Sequence, residues 1–283
     1  MQGWRANCSE EVFLAAVPVF RRCSTCSGSD MNTRFACNGC GKCCNDHHVP
    51  LTLQEAKAWA TDGGQLIILV EGFLDNGYGV PVNQREHVQR RSLPVRCGNT
   101  QAYVSITFAA YNVGPCRNLD DSNRCSIYER RPLVCRIYPM EINPHIPLRP
   151  ELKDCAPETW QSGPELIHGG RLMDTELAAL IERSRQADRE EVGAKAEICR
   201  LLGIRTMALK GDGYTVFLPD LGAFLNAVDQ VEASPEQPWP PLEEEEWSMR
   251  VSSDDLASQL EETGAMIASA LENIGFISLS KVS

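Results

Sequence analysis

The chain has 283 residues, of which 43% are hydrophobic and 23% are charged, so it is too apolar to be disordered throughout. Lys and Arg total 27 and Asp and Glu total 38, and the formal net charge of -11 argues against a general nucleic-acid binder, which needs a basic surplus to neutralise phosphates. The longest strongly apolar run, residues 66–70, is far shorter than the roughly 20 residues of a transmembrane helix. We therefore expect neither nucleic acid nor a membrane as a partner.

The thirteen cysteines are the unusual feature of the composition. An apolar stretch at residues 12–20 resembles the core of a signal peptide, but Glu10 and Glu11 offset Arg5 and no small-residue cleavage site follows. We therefore expect a cytoplasmic protein, in which thiols stay reduced and clustered cysteines hold metals. The odd number of cysteines also fits a complete disulfide framework poorly, so the sequence favours metal binding over disulfides.

The N-terminal half is expected to consist of an extension followed by a cysteine-cluster domain. Residues 1–33 have little periodicity and are expected to be a flexible extension, in which Cys23 and Cys26 supply only half of a tetrahedral site. Residues 34–160 are punctuated by Gly and Pro and are expected to form a small, loop-rich domain with short strands and helices around a metal centre. Within it, a capping box at Thr52 and Glu55 predicts a helix to about residue 60.

Two strands and one long helix are predicted from the pattern of apolar residues. Residues 65–70 are apolar and rich in β-branched side chains, and residues 102–108 alternate between apolar and polar, so each range predicts a strand. The Pro-free range 174–202 carries an apolar stripe that predicts one long helix. The fold class is therefore predicted as α+β, with a cysteine-cluster domain followed by a helical C-terminal region.

The remaining C-terminal segments complete the predicted domain organisation. Residues 161–232 are expected to be mainly helical, with a short strand at 214–218. Residues 233–283 are expected to hold a linker that is first Pro-rich and then acidic, followed by a terminal amphipathic helix.

The densest motif is Cys37-Asn-Gly-Cys40-Gly-Lys-Cys43-Cys44, which places four thiols within eight residues. Zinc and iron–sulfur clusters both prefer thiolate ligands. Gly39 and Gly41 allow the positive φ that a loop around a metal requires, and backbone N–H groups in such loops donate to sulfur. Side chains of adjacent residues diverge, so Cys43 and Cys44 are expected to serve different centres, or only one of them is a ligand.

Downstream cysteines bring the total in this segment to eight when Cys97 is left aside. They are Cys116, Cys125, Cys135 and Cys155. Eight thiols are enough for two four-sulfur sites or for one cluster with spare thiols. His47 and His48 are candidate zinc ligands, although a solvated loop is the alternative interpretation. Five nearby arginines either offset the negative charge of a thiolate site or are only solvated surface groups; they are Arg117, Arg124, Arg130, Arg131 and Arg136.

The spacing excludes several other chemistries. The cysteine triplet of radical S-adenosylmethionine enzymes is absent, and Cys44 directly follows Cys43 where a bacterial ferredoxin would continue with a gap. The sequence contains no GxSxG nucleophile elbow and no Gly-rich nucleotide loop after a predicted strand. The sequence therefore indicates no catalytic residue.

The combined pattern resembles the CxxCxxCC cysteine-cluster family, also described as YkgJ-like zinc- or iron-chelating proteins. The resemblance rests on FxCxxCGxCC from Phe35, the Pro115-Cys116 pair and the stretch from Cys125 to Pro139, and it covers residues 34–156. It implies metal binding by eight cysteines, namely Cys37, Cys40, Cys43, Cys44, Cys116, Cys125, Cys135 and Cys155. Arg131-Pro132 and Arg136 match the family frame, whereas Tyr138 stands where Phe is frequent. The cysteines outside the pattern are Cys8, Cys23, Cys26, Cys97 and Cys199.

Three functional hypotheses follow from the residues and the resemblance. The first is an iron–sulfur protein, with a 4Fe-4S cluster and a redox or protein-modifying role. The second is a structural zinc module that presents its C-terminal helices to a protein partner, because closed four-thiolate zinc sites are structural. The third is a protein lysine methylase, since a related architecture occurs in flagellin lysine methylases.

Overall fold

The computed structural model describes residues 32–233, 246–268 and 275–279. Residues 1–31 of the expected extension, nearly all of the expected linker and the distal part of the expected terminal helix lie outside these ranges. Within the described ranges, no helix is both long enough and apolar enough to cross a bilayer.

Two long antiparallel strands form the centre of the main sheet. β3 (Leu66–Leu74) and β5 (Thr100–Ala110) pair along the whole of β3, which confirms both predicted strands and lengthens them. β3 continues past its predicted end at residue 70 because Glu71 forms an ion pair with Lys210, so its carboxylate can be buried. Even-numbered side chains such as Ile68 face the main core, and odd-numbered ones such as Ile67 face a smaller cluster on the other side.

Six further strands extend this central pair on both sides. They are β2 (Val49–Leu51), β4 (Leu93–Cys97), β8 (Thr206–Leu209), β9 (Gly213–Phe217), β10 (Ser248–Arg250) and β11 (Gly275–Ser278). β2 and β4 pair with β5, whereas β8 and β9 pair with the opposite edge of β3. β10 is parallel to β8, and β11 is antiparallel to β9. The main sheet thus combines strands that precede residue 160 in the sequence with strands that follow it.

Helices cover the main core. They are α1 (Leu53–Thr61), α5 (Val192–Leu201), α6 (Leu221–Ala233) and, at the margin, α7 (Asp254–Glu262). α2 (Arg85–Gln89) instead packs through Val88 in a separate small cluster with Phe73 and Val80. α1 begins at the predicted capping box, in which the Glu55 N–H donates to Thr52 Oγ1 at 3.3 Å and the Thr52 N–H donates to Glu55 Oε2 at 3.0 Å. Phe108 of β5 meets Phe224 of α6 edge-on, with ring centroids 5.3 Å apart.

A second, smaller region packs beside the main sheet. Its elements are β1 (Thr33–Arg34), β6 (Glu165–His168), β7 (Arg171–Leu172), α3 (Leu133–Ile137) and α4 (Thr175–Glu190). They enclose a small core whose buried members are Leu133, Ile137, Leu166, Leu177 and Ile181.

The structure corrects two details of the predicted fold while confirming its α+β class. The range 174–202 forms two helices, α4 and α5, rather than one, because the apolar residues of α4 enter the small core and those of α5 enter the main core. Glu191 lies at the break, where its carboxylate accepts from the Leu53 N–H at 2.9 Å. β9 confirms the short strand predicted at 214–218, and the segment after residue 160 contains further strands beside its helices. The cysteine-rich segment contains long strands as well as short ones.

Candidate metal centre

The first four cysteines lie on a tight loop between β1 and β2. Gly39 and Gly41 have φ values of 70° and 71°, which confirms the predicted left-handed conformations. A Cβ at Gly41 would lie 2.6 Å from the Asn123 carbonyl oxygen, so only glycine allows the two backbones to approach this closely. The Gly39 N–H donates to Cys37 Sγ at 3.4 Å, as expected for a loop that surrounds a thiolate site.

Backbone hydrogen bonds fasten the later cysteine segments to this loop. The Cys116 N–H donates to the Cys44 carbonyl at 2.7 Å, and the Asp46 N–H donates to the Gly114 carbonyl at 2.8 Å. On the other side, the Ala36 N–H donates to the Thr159 carbonyl at 2.9 Å and brings the segment after Cys155 alongside the loop. Residues far apart in the chain are thereby held around one pair of adjacent cysteines.

The electrostatic interactions between thiols divide the eight predicted ligands into two sets. We define the first cysteine set as Cys37, Cys40, Cys43 and Cys155, and the second cysteine set as Cys44, Cys116, Cys125 and Cys135. In the first set, burial is the largest cause that raises the pKa of Cys155, and the charges of Cys37 and Cys40 raise it further. Cys155 and Cys37 in turn raise the pKa of Cys43. These interactions require the four sulfur atoms to lie near one another.

The second cysteine set shows the same mutual influence. Burial raises the pKa of Cys135 to about 12, with further contributions from the charges of Cys44 and Cys116. Burial is also the largest cause that raises the pKa of Cys116, and Cys44 and Cys125 add to it. Each thiol of this set is half-buried, whereas Cys37 and Cys40 of the first set are exposed.

Cys43 and Cys44 join the two sets at one hydrogen bond. The Cys43 thiol donates to Cys44, which raises the pKa of Cys43 and, as the largest cause, lowers the pKa of Cys44 to about 7. Besides this bond, Cys43 interacts through charge with Cys44 and then with Cys155 and Cys37 of the first cysteine set, whereas Cys116 and Cys135 interact with Cys44.

The donor chemistry fits a thiolate-bound metal, although the side chains do not form a ready cage. Among the residues that the structure describes, no group of three or more His, Cys, Asp or Glu side chains is arranged so that it could hold a metal ion. The eight thiols are all free of disulfides. In the structure the protonated Cys43 thiol forms a hydrogen bond to Cys44. Metal binding requires thiolates instead, so the side chains would have to rearrange around a bound metal.

Tyr138 is a polar neighbour of the first cysteine set that the sequence analysis noted only as a departure from the family. Its hydroxyl donates to the Cys155 sulfur, and burial together with this bond raises the pKa of Tyr138. The same oxygen accepts from the Asp154 N–H at 3.1 Å. The Phe that is frequent at this position in the family would lack the hydroxyl. The presence of Tyr instead of Phe was therefore the sequence feature that could have identified this residue.

The two candidate histidines have other partners. His47 Nε2 lies 2.8 Å from Asp154 Oδ2, and His47 Nδ1 is buried with no hydrogen-bond partner among the described residues. His47 also contributes to lowering the pKa of Cys44, after the larger effect of the Cys43 hydrogen bond. His48 stacks on Tyr111 with ring centroids 5.1 Å apart. Neither ring joins a group of potential metal ligands in the described part of the chain.

One of the five candidate arginines acts on the second cysteine set directly. The Arg131 guanidinium lowers the pKa of Cys44, although the hydrogen bond from Cys43 is the larger cause, and it opposes the effect of burial on Cys135. Arg131 is held over the Tyr128 ring at 3.6 Å, and its Nε donates to the Tyr128 carbonyl at 2.9 Å. Arg117 has a weaker effect on Cys116. The other three, Arg124, Arg130 and Arg136, are exposed.

Two of the remaining cysteines belong to the main core. Cys97 and Cys199 are buried there, and burial raises the pKa of each thiol. Cys8, Cys23 and Cys26 lie outside the described residues.

Part of the chain matches a protein-family model. The model of the CxxCxxCC family, described as "Putative zinc- or iron-chelating domain", matches residues 36–159. These residues are therefore similar to a CxxCxxCC domain. A search of curated proteins and a search of solved structures found no match.

The CxxCxxCC domain includes all members of both cysteine sets, and its family description supports metal binding in general terms. It covers less than half of the chain. The domain supplies β2 to β5 and α1 to α3, whereas β6 to β11 and α4 to α7 come from outside it.

Proposed function

We propose that the chain binds metal at two separate centres, one formed by each cysteine set. The observation that carries this proposal is the division of thiol interactions at Cys43 and Cys44, with one interacting set on each side. Four thiolates are the complete ligand set of a structural zinc site or of a 4Fe-4S cluster. Eight thiols divided four and four therefore fit two centres better than one centre with spare thiols.

We further propose that the first cysteine set holds an iron–sulfur cluster and that the second is a closed structural centre. Cys37 and Cys40 are exposed, so a cluster bound there would have the solvent-accessible edge that redox chemistry needs. The second cysteine set is half-buried and lies near Arg131, which offsets negative charge at closed sites. The alternative is that zinc occupies both cysteine sets. Measuring acid-labile sulfide distinguishes this alternative from the iron–sulfur proposal. No observation on the described residues favours a lysine methylase.

The test is metal analysis of single-cysteine variants after anaerobic purification. Cys37→Ser is expected to lose the metal of the first centre and keep that of the second, and Cys135→Ser is expected to do the opposite, because each removes a thiolate from a different centre. The double variant is expected to lose nearly all of the metal. Iron, zinc and acid-labile sulfide are measured per folded chain, and the proposal predicts that Cys37→Ser removes the sulfide.

Cys97→Ala is the matched control, because Cys97 belongs to the same family domain but lies in the main core. It is expected to keep the full metal content. Full metal in both Cys37→Ser and Cys135→Ser would refute the ligand assignment. Complete loss of metal in either single variant would refute the division into two independent centres.

A further inference from the structure

A cavity of about 510 Å³ lies beside the first cysteine set. The cysteines that line it are the four members of the first cysteine set and Cys135 of the second. A metal bound to thiolates at about 2.3 Å would fill only a small part of such a volume. The remaining space is in the range of small-molecule sites, which are concave, mostly apolar and lined by a few polar groups.

Part of the cavity wall comes from outside the family domain. β6, the start of α4 and the turn before it contribute apolar side chains, namely Leu166, Met173, Leu177 and Leu180. Met173 is 48% exposed and Tyr128, which also lines the cavity, is 49% exposed. Large apolar side chains left this open beside a cavity indicate a binding surface rather than a packed core.

The charged side chains in the lining leave two cations without carboxylate partners. Arg131 and Arg136 line the cavity, and no carboxylate among the described residues forms an ion pair with either of them. Three of the four acidic side chains in the lining are already engaged. Asp154 contacts His47, Asp174 caps the first turn of α4, and Glu165 lies 3.4 Å from His168. The fourth, Glu176, is exposed on the first turn of α4.

We propose that this cavity binds an amphipathic organic anion, with its apolar body against α4 and β6 and its anionic group on Arg131 and Arg136. Planar guanidinium groups match carboxylate, sulfonate or phosphate oxygens, and no carboxylate in the described ranges pairs with either group. Arg131 also lies near the second cysteine set, so Arg136 is the cation that the test removes. α4 and β6 lie outside the matched range, so the C-terminal part of the chain contributes to the cavity wall. The position of that ligand next to a metal rests on the proposed function, whereas the binding itself does not.

The probe is 1-anilinonaphthalene-8-sulfonate, an apolar sulfonate, titrated calorimetrically into the full-length protein as purified anaerobically. Met173→Trp narrows the mouth of the cavity, and Arg136→Gln removes one cation from its lining. Both positions are exposed, so the protein should tolerate these substitutions. Each variant is expected to weaken binding by about tenfold, the effect of losing one charge-assisted hydrogen bond or equivalent apolar contact.

Two exposed positions away from the lining provide matched controls, Val82→Trp and Arg130→Gln. Both are expected to bind the sulfonate as the wild type does. The neutral analogue N-phenyl-1-naphthylamine is expected to bind more weakly and to be insensitive to Arg136→Gln. Unchanged sulfonate affinity in Met173→Trp and Arg136→Gln, or equal loss in the two controls, would overturn the proposal.

Metal content measured on the same samples separates this proposal from the proposed function. Protein without metal that still binds the sulfonate in an Arg136-dependent manner would refute the metal centres and support the cavity. Protein that holds metal in both centres but binds no sulfonate would support the metal centres and refute the cavity proposal.

Discussion

The sheet-centred region and the cysteine-rich region of the molecule differ in how much apolar surface each buries. The main core extends from β3 and β5 to α1, α5 and α6 and includes large side chains such as Phe108, Phe224 and Trp247. Around the cysteines, the small core has only five buried apolar members among the described residues. Apolar burial stabilises by about 25 cal/mol per Å², so the small core provides much less. We therefore expect the stability of the cysteine-rich region to depend more on bound metal than that of the sheet does.

Removing the metal is expected to produce the largest difference between the two regions. With a chelator under reducing conditions, amides in residues 33–48 and 114–160 should exchange with deuterium at least about 100-fold faster, since metal binding is coupled to local folding. Amides of β3 and β5 should keep their protection. Hydrogen–deuterium exchange with mass spectrometry measures both regions in one experiment.

Phe108→Ala is the reciprocal control, because it leaves the cysteines in place and opens a cavity in the main core. It should cost about 3–5 kcal/mol of unfolding free energy and reduce the protection of β3 and β5. Equal acceleration of both regions after chelation would show that they unfold as one unit and would break the comparison.

Glu55 is one of the side chains that join the two regions, and its loss should have the next largest effect. Its Oε1 accepts from the Leu133 N–H at 2.7 Å at the start of α3, while Oε2 completes the α1 capping box. Glu55→Gln turns one acceptor into a donor that faces a backbone N–H. We expect a loss of about 1–3 kcal/mol in urea unfolding, together with reduced metal in the second cysteine set, because α3 carries Cys135.

Gln54→Ala is the control on the same helix, since Gln54 is exposed and contacts only Glu232. It should change the unfolding free energy by less than about 0.5 kcal/mol and leave the metal content unchanged. If Glu55→Gln behaves like Gln54→Ala, α1 does not position α3.

The smallest expected effect concerns a histidine pair at a second junction between the regions. His87 of α2 lies edge-on to His145 with ring centroids 5.3 Å apart, and burial, followed by the charge of Arg91, lowers the pKa of His87 to about 4. The unfolded chain therefore binds a proton that the folded chain does not between about pH 6.5 and pH 4. Stability contributed by neutral His87 is complete above pH 6.5 and is lost as the pH falls through this window.

Urea unfolding at pH 7 and pH 5 measures this contribution. His87→Gln should reduce the loss between the two values by about 1 kcal/mol, which allows for the partial exposure of the ring. His168→Gln, at an exposed position, should leave the loss unchanged. An identical pH dependence in His87→Gln and the wild type would contradict the assignment.

Local features of the fold were predictable because neighbouring residues encode them. The capping box set the start of α1, alternation identified β5, and the glycines of the cysteine loop adopt the expected positive φ. The family match at residues 36–159 confirmed the resemblance drawn from cysteine spacing. The break between α4 and α5 was not predictable from helical periodicity, because both halves have an apolar stripe and only the two cores decide where each one faces.

Sulfur as the candidate donor atom, the tight loop that carries four of the thiols and the central strands could all be predicted from the amino-acid sequence. Each of these depends on residues within a few positions of one another. The folded structure was needed to show which sulfur atoms become neighbours, that Tyr138 donates to Cys155, and that α4 forms part of the wall of a cavity beside Cys37. These relations join separate segments, some of them more than a hundred residues apart, and their geometry is set by how two cores pack rather than by local spacing.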